Sequence, residues 1–345
     1  MNKKNIAMFD SNKEEAEDFI RGLEKSTSMP WISLVYTANQ GRKNKIGNAI
    51  RYFKYFAFPF AVFLHRKEFN NIIGWQAFYG LLFAFYCRLF HVKKTFSLLI
   101  KNFTYKPKKG IIGKIYFRFM NYIVKSNYID VFVCTSQTFC DYCAKAFNEP
   151  VERFVFLPFG VNDFTKRVDM TTPSKNDYIL SLGRSNRDWD FLINSLAETR
   201  YQVKIVCDEL HRDNLPKNIQ IYNNVWGDDS FEFIKNCKFM VIPIMDGKIG
   251  SGETVLLQTM SFSKPIIITK PSCLADDYVT DGVTGLVVSK NKEELLEAVE
   301  HLWNDDVLYN QISKNCRSLY EEKHSLMSYG INVGNTLIDR GYFKK

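Results

Sequence analysis

Short apolar runs alternate with segments whose apolar positions recur every three or four residues along almost the whole chain. The first kind fits strands buried on both faces; the second fits helices packed along one side. In the first half, strands are predicted at 5–9, 32–36, 71–75, 95–100 and 130–134. Helices are predicted at 12–25, 76–90, 112–126 and 137–147, with another at 57–64 that carries Pro59 near its start. A passage at 157–162 containing Pro158 and Gly160, then a polar stretch at 165–177, reads as a linker. Beyond it, strands are predicted at 178–182, 202–207, 219–222, 239–244, 265–269 and 285–288. The matching helices fall at 189–198, 230–236, 254–261, 292–304 and 307–323, and a last helix at about 327–340 has no strand after it. Such alternation is the mark of βαβ units on parallel sheets. The expectation is an α/β chain of two doubly wound domains facing each other across a cleft, with ligands beyond the C-terminal ends of the strands.

The length of 345 residues agrees with two cores rather than one. The net charge of +9 is uneven: residues 41–125 hold 17 Lys and Arg against one acid, Glu68, whereas residues 1–40 sum to −1 and the remainder to −6. A basic first half calls for an anionic partner there. Tyr52, Phe53, Tyr55, Phe56, Phe58, Phe60 and Phe63 lie among these charges, a mixture that suits an anionic membrane surface, though it also suits a buried aromatic core beneath a solvated basic face. No recognition motif accompanies the charge, so no nucleic-acid partner is expected. The longest apolar run, 72–87, is interrupted by Gly74, Gln76 and Gly80 and falls short of the roughly 20 residues a membrane span needs. The first ten residues show no apolar core of a signal peptide. Of eight cysteines only Cys140 and Cys143 form a CxxC, with no second pair and no nearby His, which favours reduced structural thiols in a cytoplasmic protein over a metal site.

Three segments carry candidate chemistry. After a strand comes Gly183-Arg184-Ser185-Asn186-Arg187: a glycine turn, then two arginines on a loop that opens onto a helix. Arginines and helix N-termini both favour phosphate. The second is Gly250-Ser251-Gly252-Glu253-Thr254, a Gly/Ser loop capping a helix that continues through Gln258, where free N–H groups form an anion nest. The third runs from Asp276-Asp277 to Asp281-Gly282-Val283-Thr284-Gly285 and Val288, and reads as a polar helix start and a turn before a short strand.

In this order and spacing the segments resemble the donor half of the retaining GT-B glycosyltransferases of family 4, the group 1 glycosyltransferases of polysaccharide biosynthesis. In that family a strand ends in Gly-Arg with a Lys or Arg shortly after. A helix then carries two glutamates eight positions apart and continues Ala-Met-x-x-Gly-Lys-Pro, and a D-G-x-x-G-x-x-V turn follows. Here stand Gly183-Arg184 with Arg187, then Gln258-Thr259-Met260-Ser261-Phe262-Ser263-Lys264-Pro265, then Asp281-Gly282 through Val288. Thr135-Ser136 and residues 154–161 are similar to the family's domain junction. The resemblance covers residues from about 130 to the end and only faintly the first 130. Counting back from Lys264-Pro265, the two glutamate positions hold Gly250 and Gln258. The family's N-terminal His is replaced by Lys101-Asn102 at the end of the strand at 95–100.

The resemblance implies two Rossmann-like domains in the GT-B arrangement. These are an acceptor-binding domain at 1–160, a linker at 161–176, a nucleotide-sugar domain at 177–324, and a C-terminal helix at 325–345 crossing back to the first domain. It also implies transfer of a hexose from a UDP- or GDP-sugar, with retention, to a glycan or lipid-linked acceptor at the inner face of the cell membrane. Gly183, Arg184, Arg187, Gly250, Ser251, Gly252, Glu253 and Thr254 would hold the donor diphosphate. Gln258 would accept from the ribose, and Gln76, Lys101, Asn102 and Glu253 are the candidates near the reacting groups. No metal and no cofactor are expected, because arginines and a helix dipole stand where magnesium serves elsewhere. The missing carboxylates leave a second reading, a non-catalytic nucleotide-sugar-binding or scaffold protein of the same fold.

Overall fold

The computed structural model describes residues 3–11, 13–36, 45–247 and 249–344, of which residues 14, 15 and 45–49 are described by their backbone alone. Residue 12, where the sequence starts its first helix, and residues 41–44, at the head of the basic stretch, lie outside these. The chain divides into two compact units, Met1–Leu157 with Leu326–Lys345, and Pro158–Ser325.

The first unit is a six-stranded sheet of β1 (Lys4–Phe9), β2 (Trp31–Val35), β3 (Phe69–Gly74), β4 (Ser97–Ile100), β5 (Val131–Cys134) and β6 (Phe154–Phe156), ordered β2-β1-β3-β4-β5-β6. Every pairing is parallel. Alternate residues of β1 serve opposite cores. Ile6 and Met8 join a cluster with α2 (Lys45–Leu64), α3 (Ala77–Leu89), α4 (Gly110–Val124) and α5 (Gln137–Phe147). Ala7 and Phe9 join one with α1 (Lys13–Thr27) and α12 (Leu326–Asp339). Helices α1 and α12 approach so closely that a Cβ on Gly22 would lie 2.1 Å from the Met327 carbonyl oxygen, and one on Gly330 2.3 Å from that of Phe19. The chain end is fixed as well: the buried Asn71 side chain donates to the Lys344 carbonyl (2.8 Å) and accepts from the Lys344 N–H (2.9 Å).

Two expectations change here. The helix at 57–64 is the second half of the longer α2, with Pro59 in its interior rather than near its start. Tyr55, Phe58, Val62 and Phe63 reach the core at helical spacing, and this packing outweighs the lost N–H of the proline. Residues 154–156, read as part of a junction, form the edge strand β6, too short to show a period of its own.

The second unit has its own parallel sheet of β7 (Ile179–Leu182), β8 (Val203–Val206), β9 (Ile219–Tyr222), β10 (Phe239–Ile242), β11 (Ile266–Lys270) and β12 (Leu286–Ser289), ordered β12-β11-β10-β7-β8-β9. Its helices are α6 (Trp189–Leu196), α7 (Asp228–Asn236), α8 (Glu253–Ser261), α9 (Cys273–Tyr278), α10 (Lys292–Asn304) and α11 (Asp306–Leu319). The order reverses at β10 and β7, the neighbouring strands from which the chain winds both ways. Asp276 lies in the first turn of the short helix α9, whose start is capped by Ser272, and Asp277 follows it. Residues 163–172 belong to this unit. Asp163 pairs with Arg317 at 2.7 Å, and the Lys235 ammonium donates to Thr172 Oγ1 at 2.5 Å.

Candidate functional site

The loops that leave β7 and β10 meet at the reversal point, and one amide fastens them. Asn186, in the left-handed region at φ 58°, donates through Nδ2 to the carbonyls of Asp246 (2.9 Å) and Ile249 (3.1 Å). Its Oδ1 accepts from the Asp246 N–H at 2.8 Å. Lys290, beyond the end of β12, adds a second strap by donating to Asp188 Oδ2 (2.9 Å) and the Met245 carbonyl (2.7 Å). Asn186 and Lys290 position this rim, and the sequence reading assigned a role to neither. The asparagine's signal was its place in a tight turn, where its side chain can replace backbone partners.

The fastened loops enclose Arg187. Its side chain is 6% exposed and lies against two glycines, Gly183 (φ 138°) and Gly252 (φ 113°). A Cβ on either would come within 2.9 Å or 2.8 Å of the guanidinium, so neither position accepts a larger residue without moving the arginine. Nη1 donates to the Ser185 carbonyl at 3.1 Å, and Nε has no hydrogen-bond partner among the described residues. Burial lowers the Arg187 pKa to about 10, so it stays charged at neutral pH. A buried cation with an unspent donor is costly unless an anion completes it.

Arg187 borders open volume. A cavity of about 350 Å³ is lined by Gly183, Arg184, Arg187, Ser251, Gly252 and Thr254 of the predicted set, together with Asp208, Trp226, Gly227 and Ser230. The start of α8 therefore contributes N–H groups and the positive end of its dipole to the same space as Arg187. Trp226 is a large exposed aromatic on the loop after β9, placed to offer a ring face to a flat ligand. The sequence analysis passed over Asp208, Trp226, Gly227 and Ser230. Their only sign was that they follow β8 and β9, whose C-terminal ends share this rim.

The other expected residues fall elsewhere. Gly250 is exposed, and neither it nor Glu253 nor Gln258 lines the cavity. Burial raises the Glu253 carboxyl, while the N–H groups of Glu253 and Gly252 and the charge of Arg187 pull it back. Gln258 is half-buried on the next turn of α8. In the first unit Gln76 caps α3 without a side-chain hydrogen bond, and Asn102 occupies a left-handed turn at φ 52°. Lys101 is 1% exposed, with its ammonium 3.2 Å from the Trp75 ring centroid and 5.0 Å from that of Tyr329. Burial holds its pKa well below the ordinary value. Cys134, Cys140 and Cys143 are buried thiols outside any disulfide, and no cluster able to hold a metal ion occurs among the described residues.

Residues 169–319 match the family described as glycosyl transferases group 1. The O-antigen chain mannosyltransferase C of Escherichia coli is 24% identical over 229 residues, which is 60% of this chain and 59% of that protein. The chain thus aligns with about three fifths of that curated relative's length. Among solved structures, HepE of Anabaena in complex with UDP superposes with a TM-score of 0.64 at 12% identity, covering 98% of this chain and 100% of that one. Sucrose-phosphate synthase of Thermosynechococcus elongatus gives 0.66 at 12% identity, covering 98% and 99%. Two parallel six-stranded sheets with interleaved helices give this chain the GT-B fold of these solved structures, and its residues 169–319, which hold the arginine loop, the start of α8 and the β12 turn, are similar to the group 1 glycosyltransferases.

Proposed function

We propose that the protein transfers a hexosyl group, with retention, from a nucleoside diphosphate sugar to a lipid-linked glycan acceptor in bacterial surface-polysaccharide assembly, at the inner face of the cell membrane. The observation that carries this reading is Arg187, a buried and charged side chain in the wall of a cavity that also receives the start of α8. A pyrophosphate supplies the missing anion, and Trp226 offers the nucleobase a stacking face. In the reaction the acceptor oxygen bonds to the anomeric carbon, the bond to the diphosphate oxygen breaks, and the hydroxyl proton leaves with the diphosphate. Negative charge grows on that diphosphate, where Arg187, Arg184 and the first N–H groups of α8 stabilise it in place before the bond breaks. Solved HepE holds UDP and the mannosyltransferase is named for O-antigen chain synthesis, and both agree with a nucleotide-sugar donor and a surface glycan.

The alternative of binding without transfer rests on Gly250 and Gln258, which stand where the family has carboxylates. Calorimetric titration with UDP, GDP, ADP and their sugars, followed by product analysis with a lipid-linked glycan acceptor, separates the two. Binding of one donor with turnover and a retained anomeric centre supports the proposal. Binding with neither transfer nor hydrolysis favours the alternative. No binding by folded protein, or unchanged binding by Arg187→Ala, removes both.

A further inference from the structure

Helix α4 has two unlike halves. Its C-terminal half is anchored: Met120, Ile123 and Val124 are buried in the core of the first unit. Its N-terminal half projects, with Ile111 77%, Ile112 72% and Ile115 62% exposed. These three share one side of the helix at positions i, i+1 and i+4. Exposed cations surround them: Lys106, Lys108 and Lys109 precede the helix, and Lys114 and Arg118 follow on it. The cationic loop is seated against the helix, because Gly113 leaves room for the Lys108 carbonyl where a Cβ would meet it at 1.9 Å. No Asp or Glu occurs anywhere between Phe69 and Ile129.

The neighbouring helices extend this surface. Helix α2 packs on α3 and α3 on α4. Tyr52, Phe53, Phe56, Phe60 and Leu64 form an exposed stripe along α2, and Leu89 and Phe90 are exposed at the end of α3. Of 23 exposed large apolar side chains among the described residues, 12 lie between Ile50 and Phe117, so helices α2 to α4 carry just over half of them. No described helix is long and apolar enough to cross a membrane. A short apolar wedge ringed by cations, on a stretch of chain without acids, fits a partner that is apolar beneath a negatively charged face.

We infer that the start of α4 is a membrane-docking wedge. Ile111, Ile112 and Ile115 enter the headgroup region of a bilayer, and Lys106, Lys108, Lys109, Lys114 and Arg118 meet anionic phospholipid heads. This deepens the reading of a lipid-linked acceptor, on which its biological sense rests, but donor binding in the second unit tests that reading separately. The full chain is sedimented with phosphatidylglycerol–phosphatidylcholine vesicles and with pure phosphatidylcholine vesicles, across a salt series. The expected result is binding to the anionic vesicles, with affinity at least about tenfold lower for the Ile112→Glu/Ile115→Glu variant. The Lys108→Glu/Lys109→Glu variant should also bind at least about tenfold less and show a shallower salt dependence. All three proteins should keep their melting temperature and donor affinity, because the altered side chains are exposed. Wild-type binding by both variants, or equal affinity for the two kinds of vesicle, overturns the inference. So does a wild-type dimer that Ile112→Glu/Ile115→Glu turns into monomer, since the wedge then serves a second copy of the chain.

Discussion

Each unit buries one cation near the C-terminal ends of its strands, and the two are treated in opposite ways. Lys101 follows β4 and is covered by the Trp75 and Tyr329 rings, so its charge is met by aromatic faces inside a packed core. Arg187 follows β7 and is held between two glycines at the wall of a cavity, with Nε unspent. Both carry a desolvation cost, but only Arg187 lies where an incoming anion can repay it. A buried charge is the better candidate for a binding group where its side chain borders open volume than where aromatic rings enclose it. Lys101, expected among the reacting groups, is enclosed in this structure, whereas Arg187 opens onto the cavity.

The comparison can be tested in steps. Arg187→Ala should weaken donor binding by about a hundredfold, as removal of one partner of a desolvated ion pair does. Without ligand the same variant should melt no lower than wild type, because it deletes an uncompensated buried charge. A lower melting temperature with unchanged affinity would instead make Arg187 a structural residue. Gly252→Ala should come next. It forces a side chain into a left-handed position at φ 113° and against the guanidinium, costing about 1–3 kcal/mol of stability and lowering donor affinity with it. Denaturant titration and calorimetry on one preparation would show whether the two losses coincide. Asn186→Ala removes three hydrogen bonds between the loops and should cost about 1–3 kcal/mol, with a smaller drop in affinity that Asn186→Asp, which keeps the acceptor, restores only in part.

The smallest effect belongs to Lys101. Its pKa is lowered in the fold from an ordinary 10.5, so the unfolded chain binds the extra proton. Stability should therefore rise as pH increases through the window between the lowered value and 10.5. Lys101→Met should flatten that rise, raise stability at neutral pH and leave donor affinity untouched. A variant that melts lower at every pH would show that the ammonium–aromatic contacts outweigh desolvation.

The second unit was more legible than the first because its elements obey local rules that its function also needs. A glycine after a strand, arginines on the following loop and a Gly/Ser helix start each have one-dimensional signatures. The family match at residues 169–319 falls in the same region. In the first unit the basic and aromatic residues were visible, but sequence could not tell Phe63, which is buried, from Phe53, which is exposed. It also started α2 late, since Pro59 reads as a boundary until the packing on either side of it is known.

Sequence alone determined the alternation of strands and helices, the division of charge, and the presence of the glycine-and-arginine loops, because these depend on periodicity, composition and short spacing. Only the tertiary structure decided that Asn186 ties two loops 60 residues apart, that Trp226 and Asp208 share the cavity with Arg187, and that Lys101 faces aromatic rings. Those outcomes depend on which strand ends become neighbours and which side chains lose their water. Both are set by the packing of residues distant along the chain, and no local pattern encodes them.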